Sequence, residues 1–400
     1  MKTSALARAL PRWGAITAMV IACRLAVVNA GAQDRSLNPQ YGFLHRVNTA
    51  ANIVHALNCP ARGIEFDVSW DIDNNEGGDR WWVCHDYSSI DKYKPTLEYW
   101  LTKLKEALDT HSYDSTFSAL FVDLKTPNNG DVGTVLNLLR QYVPTNVIMF
   151  IDLQGVENFT TSTTGYDKIK TIGLRPNEGL SCWIARGDDY AQQVSNYFRI
   201  MHQDQIERNG VDHGYAGPAG INQDILTAIN EQQYHDIRDP YRFKKLLTWP
   251  NREKDVMEHY VNPGNSYHTD GQLCGWCCSE WLGTDLCFTD YFADAVNNYS
   301  GSQRVADPSD VASFWDRSES DYVSGDLIYV NNLTAVTLGA CQTGAKWQPY
   351  ITVTNGLTHA KTNGLVIITP ASPYTAVTRM DKPSRLEKST DWAGVVRITR

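Results

Sequence analysis

The sequence predicts an α/β fold, an eight-stranded (β/α)8 TIM barrel carrying a small C-terminal β-rich extension. Three observations lead there. From residue 41 to about residue 298, short runs of β-forming residues alternate with stretches of helical periodicity, the pattern of parallel βαβ units. Eight such runs can be marked, the number that closes a barrel. Beyond residue 300 the composition shifts to Thr, Val, Ile, Tyr, Gly and Asn. A doubly wound open sheet is the rival architecture, but no Gly-rich dinucleotide fingerprint follows the first run.

In chain order, the strands are expected at Tyr41–Val47, Gly63–Ser69, Ser118–Leu124, Asn146–Leu153, Leu180–Ala185, Phe198–His202, Lys245–Trp249 and Asp285–Phe288. Each is a run of four to eight positions rich in apolar residues, most with β-branched or aromatic members. Helical spacing of apolar residues appears between them, at Thr96–Leu108, Val132–Tyr142, Ile221–Glu231 and Lys254–Tyr260. In the extension, strand-like runs occupy Asp326–Val330, Tyr350–Val353 and Gly364–Ile368. No internal repeat is evident. The resulting division is 1–32 as a signal peptide, 33–300 as the barrel and 301–400 as a β-rich extension of unassigned role.

The leader rests on Lys2, Arg8 and Arg12 before a mostly apolar run from Gly14 to Val28, with small residues at Asn29-Ala30-Gly31-Ala32. That order fits cleavage after Ala30 or Ala32. Arg24 interrupts the apolar run, and so short a stretch would span a bilayer poorly as an uncleaved anchor. The expected compartment is therefore extracellular. Eight cysteines remain after Cys23 is removed with the leader, an even number that reads as disulfides of undetermined pairing. The glycosylation triplets at Asn158, Asn298 and Asn332 agree with export. The formal charge of −9 falls to −13 without Lys2, Arg8, Arg12 and Arg24. Such a surface offers no general field for nucleic acid or an anionic bilayer.

Polar residues concentrate where a barrel places its chemistry, at strand C-termini. The first strand ends in His45-Arg46-Val47-Asn48, the second carries Glu65-Phe66-Asp67, and His85 follows Trp81-Trp82-Val83-Cys84. The third ends in Asp123-Leu124-Lys125. Spacings of two put Glu65 with Asp67, and Asp123 with Lys125, on one side of a strand. Three carboxylates suit a hard cation such as Mg²⁺, with Ca²⁺ the alternative. Two imidazoles suit proton transfer or attack on phosphorus, and Lys125 suits a phosphate oxygen. Singly, each has an ordinary reading: a hydrogen-bonded histidine, a solvated acidic face, a surface ion pair. Together at successive strand ends they point to one site.

Other features are set aside. Asp71 to Gly77 suggests a Ca²⁺ loop, but Glu76 stands where the turn glycine belongs and Trp82 at the twelfth position. Cys274-x-x-Cys277-Cys278 has no second ligand pair at zinc-finger spacing. No Gly-x-Ser-x-Gly elbow or Walker loop occurs.

The run His45 to Asn48, then Gly63 to Val68, His85, and Phe121 to Thr126 resembles the sphingomyelinase D / phospholipase D toxin-like family of the glycerophosphodiester phosphodiesterase-like barrels. The resemblance covers about residues 41–298. It implies a secreted phosphodiesterase acting on phospholipid head groups, with a cyclic phosphate as one product. It implies His45 and His85 as the catalytic pair, their roles unapportioned, and Glu65, Asp67 and Asp123 as Mg²⁺ ligands. Lys125 would contact phosphate, Asn48 belongs to the opening motif, and Trp249 in Leu246 to Asn251 would lie beside the head group, where its face suits a choline-type cation. Asp285 to Tyr291 looks like the family's eighth-strand segment. Contact with a membrane would be peripheral and through the substrate; no protein partner is implied.

Departures from the family's pattern leave the architecture intact but open an alternative substrate. Arg46 and the His85-Asp86 pair resemble glycerophosphodiesterases, which act on deacylated head-group esters. A Cys-rich insertion runs from Gly264 to Glu280, and the toxins' short tail is replaced by the β-rich extension. A catalytically silent barrel used for binding is the rival from another class, and it would need no such set of histidines and carboxylates.

Overall fold

A computed structural model describes residues 38–70, 80–85, 94–110, 116–160, 164–185, 189–214, 223–233, 240–251, 253–262, 269–275, 286–300, 303–315, 327–330, 353, 356–357, 365–368 and 385–388. The leader, the Asp71–Gly77 segment, Cys277, Cys278, and all of Tyr350–Val353 but its last residue fall outside them.

Eight parallel strands close into a barrel. They are β1 (Asn38–Leu44), β2 (Gly63–Trp70), β4 (Ala119–Leu124), β5 (Ile148–Gly155), β6 (Glu178–Trp183), β7 (Asn209–Gly214), β8 (Lys245–Asn251) and β9 (Gly271–Cys274). Each pairs with the next in this order, β9 pairs with β1, and β1 with β2 through Leu44 and Ile64, which completes the ring. The fold is a (β/α)8 TIM barrel. A short β3 (Trp81–Val83) turns back antiparallel on β2, and β10 (Gln303–Val305) adds in parallel to the start of β1. Farther on, β11 (Leu327–Val330), β12 (Leu365–Ile368) and β13 (Arg385–Lys388) form a separate three-stranded parallel sheet.

Alternation along each strand builds two layers. Ile64, Phe66, Val68, Leu120, Val122, Leu124, Met149, Ile151 and Leu153 face outward into the main core, shared with the surrounding helices. The helix Leu97–Thr110 buries Leu97, Trp100, Leu101, Leu104 and Leu108 on the matching face, the spacing of one helical stripe. The residues between them point into the barrel. Low in the barrel these are apolar: Tyr41, Phe43, Phe121, Phe150 and Leu247 pack with Phe314 and Trp315, which close the N-terminal end of the strands. Phe314 and Trp315 follow a turn pinned by Arg304, whose guanidinium donates to both carboxylate oxygens of Asp310. High in the barrel the inward positions are polar.

Two expected strands are corrected. Phe198–His202 belongs to the helix Tyr190–Gln203. Its apolar run is one side of a helix, with Val194, Tyr197 and Met201 buried at helical spacing. Leu286–Phe288, likewise, opens the helix Leu286–Asn298 instead of forming the last strand. The places they would have filled belong to β7 and β9, of sequence NGVDHG and GQLC. Neither has an apolar run, yet every residue in both is buried. Their glycines answer to close backbone approach: a Cβ on Gly214 would sit 1.4 Å from the Trp249 carbonyl oxygen, and one on Gly271 2.3 Å from that of Tyr41. Among the described residues, Cys84, Cys182 and Cys274 are buried free thiols. Cys182 faces outward into the apolar layer, where burial raises its thiol well above the usual range.

Candidate active site

The polar layer forms because the same inward register runs from strand to strand. Asp67 pairs with Asp123, Asp123 with Asp152, and Asp152 with Ser181. Glu65 lies one inward step below Asp67, and His45 follows β1 at the barrel mouth. Glu65, Asp67, Asp152 and Asp212 are essentially inaccessible to solvent.

Glu65, Asp67 and Asp123 each offer an oxygen within 4.8 Å of the others. Opposite ligands of a cation bound at about 2.1–2.5 Å stand about 4–5 Å apart, so the three fit one divalent ion. Glu65 Oε1 is buried without a hydrogen-bond partner, while Oε2 accepts from the Arg46 amide. Asp67 is held by Asn48, whose Nδ2 donates to Oδ2 at 2.6 Å and whose Oδ1 accepts the Asp67 amide at 2.9 Å. The Asn48 side chain is thus engaged on a candidate ligand. Lys125 Nζ lies 3.1 Å from Asp67 Oδ1 and donates to Asp123 Oδ2.

One ammonium cannot neutralise so many buried carboxylates, and the remainder must take protons or a cation. Burial pushes Glu65 well above the usual carboxylate range, with Asp67 and Asp123 adding to it. Burial likewise raises Asp123, against the opposing pull of Lys125. For Asp67 burial is outweighed by Lys125, His85 and the Asn48 hydrogen bond, which together hold it low. Burial disfavours the charge on Lys125, yet Asp123 and Asp67 keep its ammonium above the usual lysine range. Ligation requires ionised carboxylates, so a divalent cation held by these residues would displace protons from Glu65 and Asp123, and its affinity is expected to rise with pH. Calorimetric titration in two buffers of different ionisation enthalpy tests this. A buffer-independent heat refutes it.

His45 lies above this cluster with its Nδ1 2.9 Å from the Gly275 carbonyl. A carbonyl only accepts, so Nδ1 carries the proton and Nε2 the lone pair. Nε2 faces Glu65 Oε2 at 3.7 Å. Burial lowers the imidazole to about 3 even though Asp67 favours its charge, so the ring is neutral at physiological pH. His85 is delivered by β3, whose pairing with β2 continues as the Cys84 amide donates to the Asp67 carbonyl at 3.0 Å. From there its charge acts on both Asp67 and Asp123. Trp249 stands with its ring centre 6.2 Å from that of His45 and 5.8 Å from Trp183. Its indole N–H donates to Asp212 Oδ1 at 2.8 Å.

Several residues of the mouth went unread in the sequence. Asp212 accepts from Ser181 Oγ at 2.7 Å, and burial raises it to about 7 against that bond. Asp152 is raised well above the usual range by burial and by Asp212. Gln154 Nε2 donates to Asp123 Oδ1 and, at 3.2 Å, to Asp152 Oδ2. A signal for two of them existed: Ile151-Asp152-Leu153-Gln154 repeats the pattern of Val122-Asp123-Leu124-Lys125 one strand later. Asp212 had none, because its strand has no recognisable apolar run.

Fold and site together define a (β/α)8 barrel with a buried acidic cluster, able to take a metal ion, at its C-terminal mouth. No protein-family model matches the chain, and no curated protein matches it. Among solved structures it is similar to a glycerophosphodiester phosphodiesterase from Thermotoga maritima, at 11% identity and TM-score 0.36, over 59% of this chain and 94% of that one. It is also similar to the spore coat polysaccharide biosynthesis protein SpsE from Bacillus subtilis, at 10% identity and TM-score 0.37, over 80% of this chain and 77% of that one.

Proposed function

We propose that this chain is a divalent-metal-dependent phosphodiesterase that cleaves phospholipid head groups in the manner of sphingomyelinase D / phospholipase D-like barrels. The reading rests on one observation. A neutral imidazole, a second histidine, a lysine and three carboxylates, two from β2 and one from β4, converge at one barrel mouth.

Glu65, Asp67 and Asp123 are the residues that would hold Mg²⁺, which when bound supplies positive charge beside the phosphate. Lys125, already between two of them, contributes a second positive charge to a phosphate oxygen. His45 Nε2 has the lone pair to accept the proton of an attacking hydroxyl, or to attack phosphorus itself. His85 then protonates the departing oxygen. When the attacking hydroxyl is the substrate's own, phosphorus exchanges the head-group oxygen for an internal one and a cyclic phosphate results. Burial of these side chains strengthens each of these interactions.

Phosphorus NMR with sphingomyelin, lysophosphatidylcholine and glycerophosphocholine, each with and without chelator, tests the proposal. Chelator-sensitive loss of a lipid ester supports it. Turnover of glycerophosphocholine alone moves the assignment to deacylated esters, the reading favoured by Arg46 and the His85-Asp86 pair. A folded chain that leaves every ester intact and binds no divalent ion is a binding barrel, and the enzymatic reading fails.

A further inference from the structure

We propose that Gln154 is a positioning residue that fixes Asp123 for the cation; the inference rests on the metal-centre reading above. Its backbone is the first sign. Gln154 adopts φ +64°, in the left-handed region that a non-glycine residue occupies at a cost. It does so at the C-terminal end of β5, where pairing with β6 slips between Asp152 and Gly155. Such irregularities re-aim side chains beside active sites.

The re-aimed side chain has a definite target. Its Nε2 donates to Asp123 Oδ1 and lies 3.2 Å from Asp152 Oδ2. Lys125 does the same one strand earlier, donating to Asp123 Oδ2 and lying 3.1 Å from Asp67 Oδ1. Each side chain, two residues past an aspartate, thus bridges that aspartate and the one on the preceding strand. Asp123 is the shared member, gripped at both oxygens, by an ammonium on one and a neutral amide on the other. A neutral donor suits this place: it orients the carboxylate without adding a second cation to compete with the metal ion. Hydrogen bonds of this kind set the orientation of metal ligands.

Arg46 follows the same pattern. It too has a left-handed backbone, at φ +60°, and its amide donates to Glu65 Oε2. Of the other non-glycine residues with positive φ, Gln205 lies just past the end of the helix Tyr190–Gln203 and Arg62 directly before β2. The first is an ordinary place for that conformation.

Two variants of the full chain separate positioning from structure. Gln154→Gly removes the donor and also the backbone strain. Gln154→Met keeps length and strain but has no donor. Mn²⁺ and Mg²⁺ affinities are read by calorimetry, and the thermal midpoint is read in chelator. Both variants are expected to lose roughly 10–100-fold in affinity, while Gln154→Gly has a midpoint in chelator equal to or above that of the parent chain. Folded variants that bind within about twofold of the parent overturn this inference alone. A Gln154→Gly midpoint well below the parent's overturns it too, since the residue is then structural. A parent chain that binds neither ion overturns both this inference and the metal-centre reading.

Discussion

Replacing His45 or His85 by alanine is expected to lower phosphodiester turnover at least about 10²-fold, the lower end for losing one positioned acid, base or nucleophile. The two losses need not add, because groups acting in one step fail as a unit. His45 is buried and held by the Gly275 carbonyl, so its removal also leaves a buried space and takes that partner from the carbonyl. Circular dichroism and divalent-ion binding therefore accompany the kinetics, to show that fold and metal centre survive. A folded double variant with full activity removes both histidines from the mechanism. Since His45 is already neutral through burial, its lone pair remains available well below neutral pH. With metal ion saturating, so that proton release from Glu65 and Asp123 does not contribute, an acid limb near neutrality belongs to another group, and Asp212, raised to about 7, is tested by replacement with asparagine.

The largest stability effect is expected below the site. Phe150 points into the barrel with its ring centre 6.0 Å from those of Phe43 and Phe121, 5.1 Å from Phe314 and 5.3 Å from Trp315. It is fully buried. Phe150→Ala is expected to cost about 3–5 kcal/mol, because the closed ring of strands cannot collapse into the void. Urea unfolding measures this, and a cost below about 1 kcal/mol is incompatible with a packed base. Trp315→Ala, a comparable truncation at the barrel's closed end, tests whether residues past 300 stabilise the barrel interior.

Four of the helices and six of the eight barrel strands were legible because they obey periodicity. Val132–Tyr142 carries its apolar residues at helical spacing, and Gly63 to Trp70 alternates charge and hydrocarbon at a spacing of two. The other two strands were not legible. In a closed barrel an inward residue is buried whatever its polarity, so Asn209–Gly214 and Gly271–Cys274 have no hydrophobic signature, while the one-sided run at Phe198–His202 imitates one. The same inversion hid part of the site. Asp123 stood in a motif, whereas Asp212 stood in a stretch that resembled a loop.

By itself, the amino-acid sequence determined the barrel class and marked His45, Glu65, Asp67, His85, Asp123 and Lys125 as candidates, since short-range spacing decides which side of a strand Glu65 and Asp67, or Asp123 and Lys125, take. Only the tertiary structure decided which strands are neighbours, that Asn48 serves Asp67, that Gln154 and Asp152 join the acidic cluster, and which nitrogen of His45 bears its lone pair. Those depend on contacts between residues far apart in the chain, and on desolvation when the ring of strands closes. Neither is written in any local run of residues.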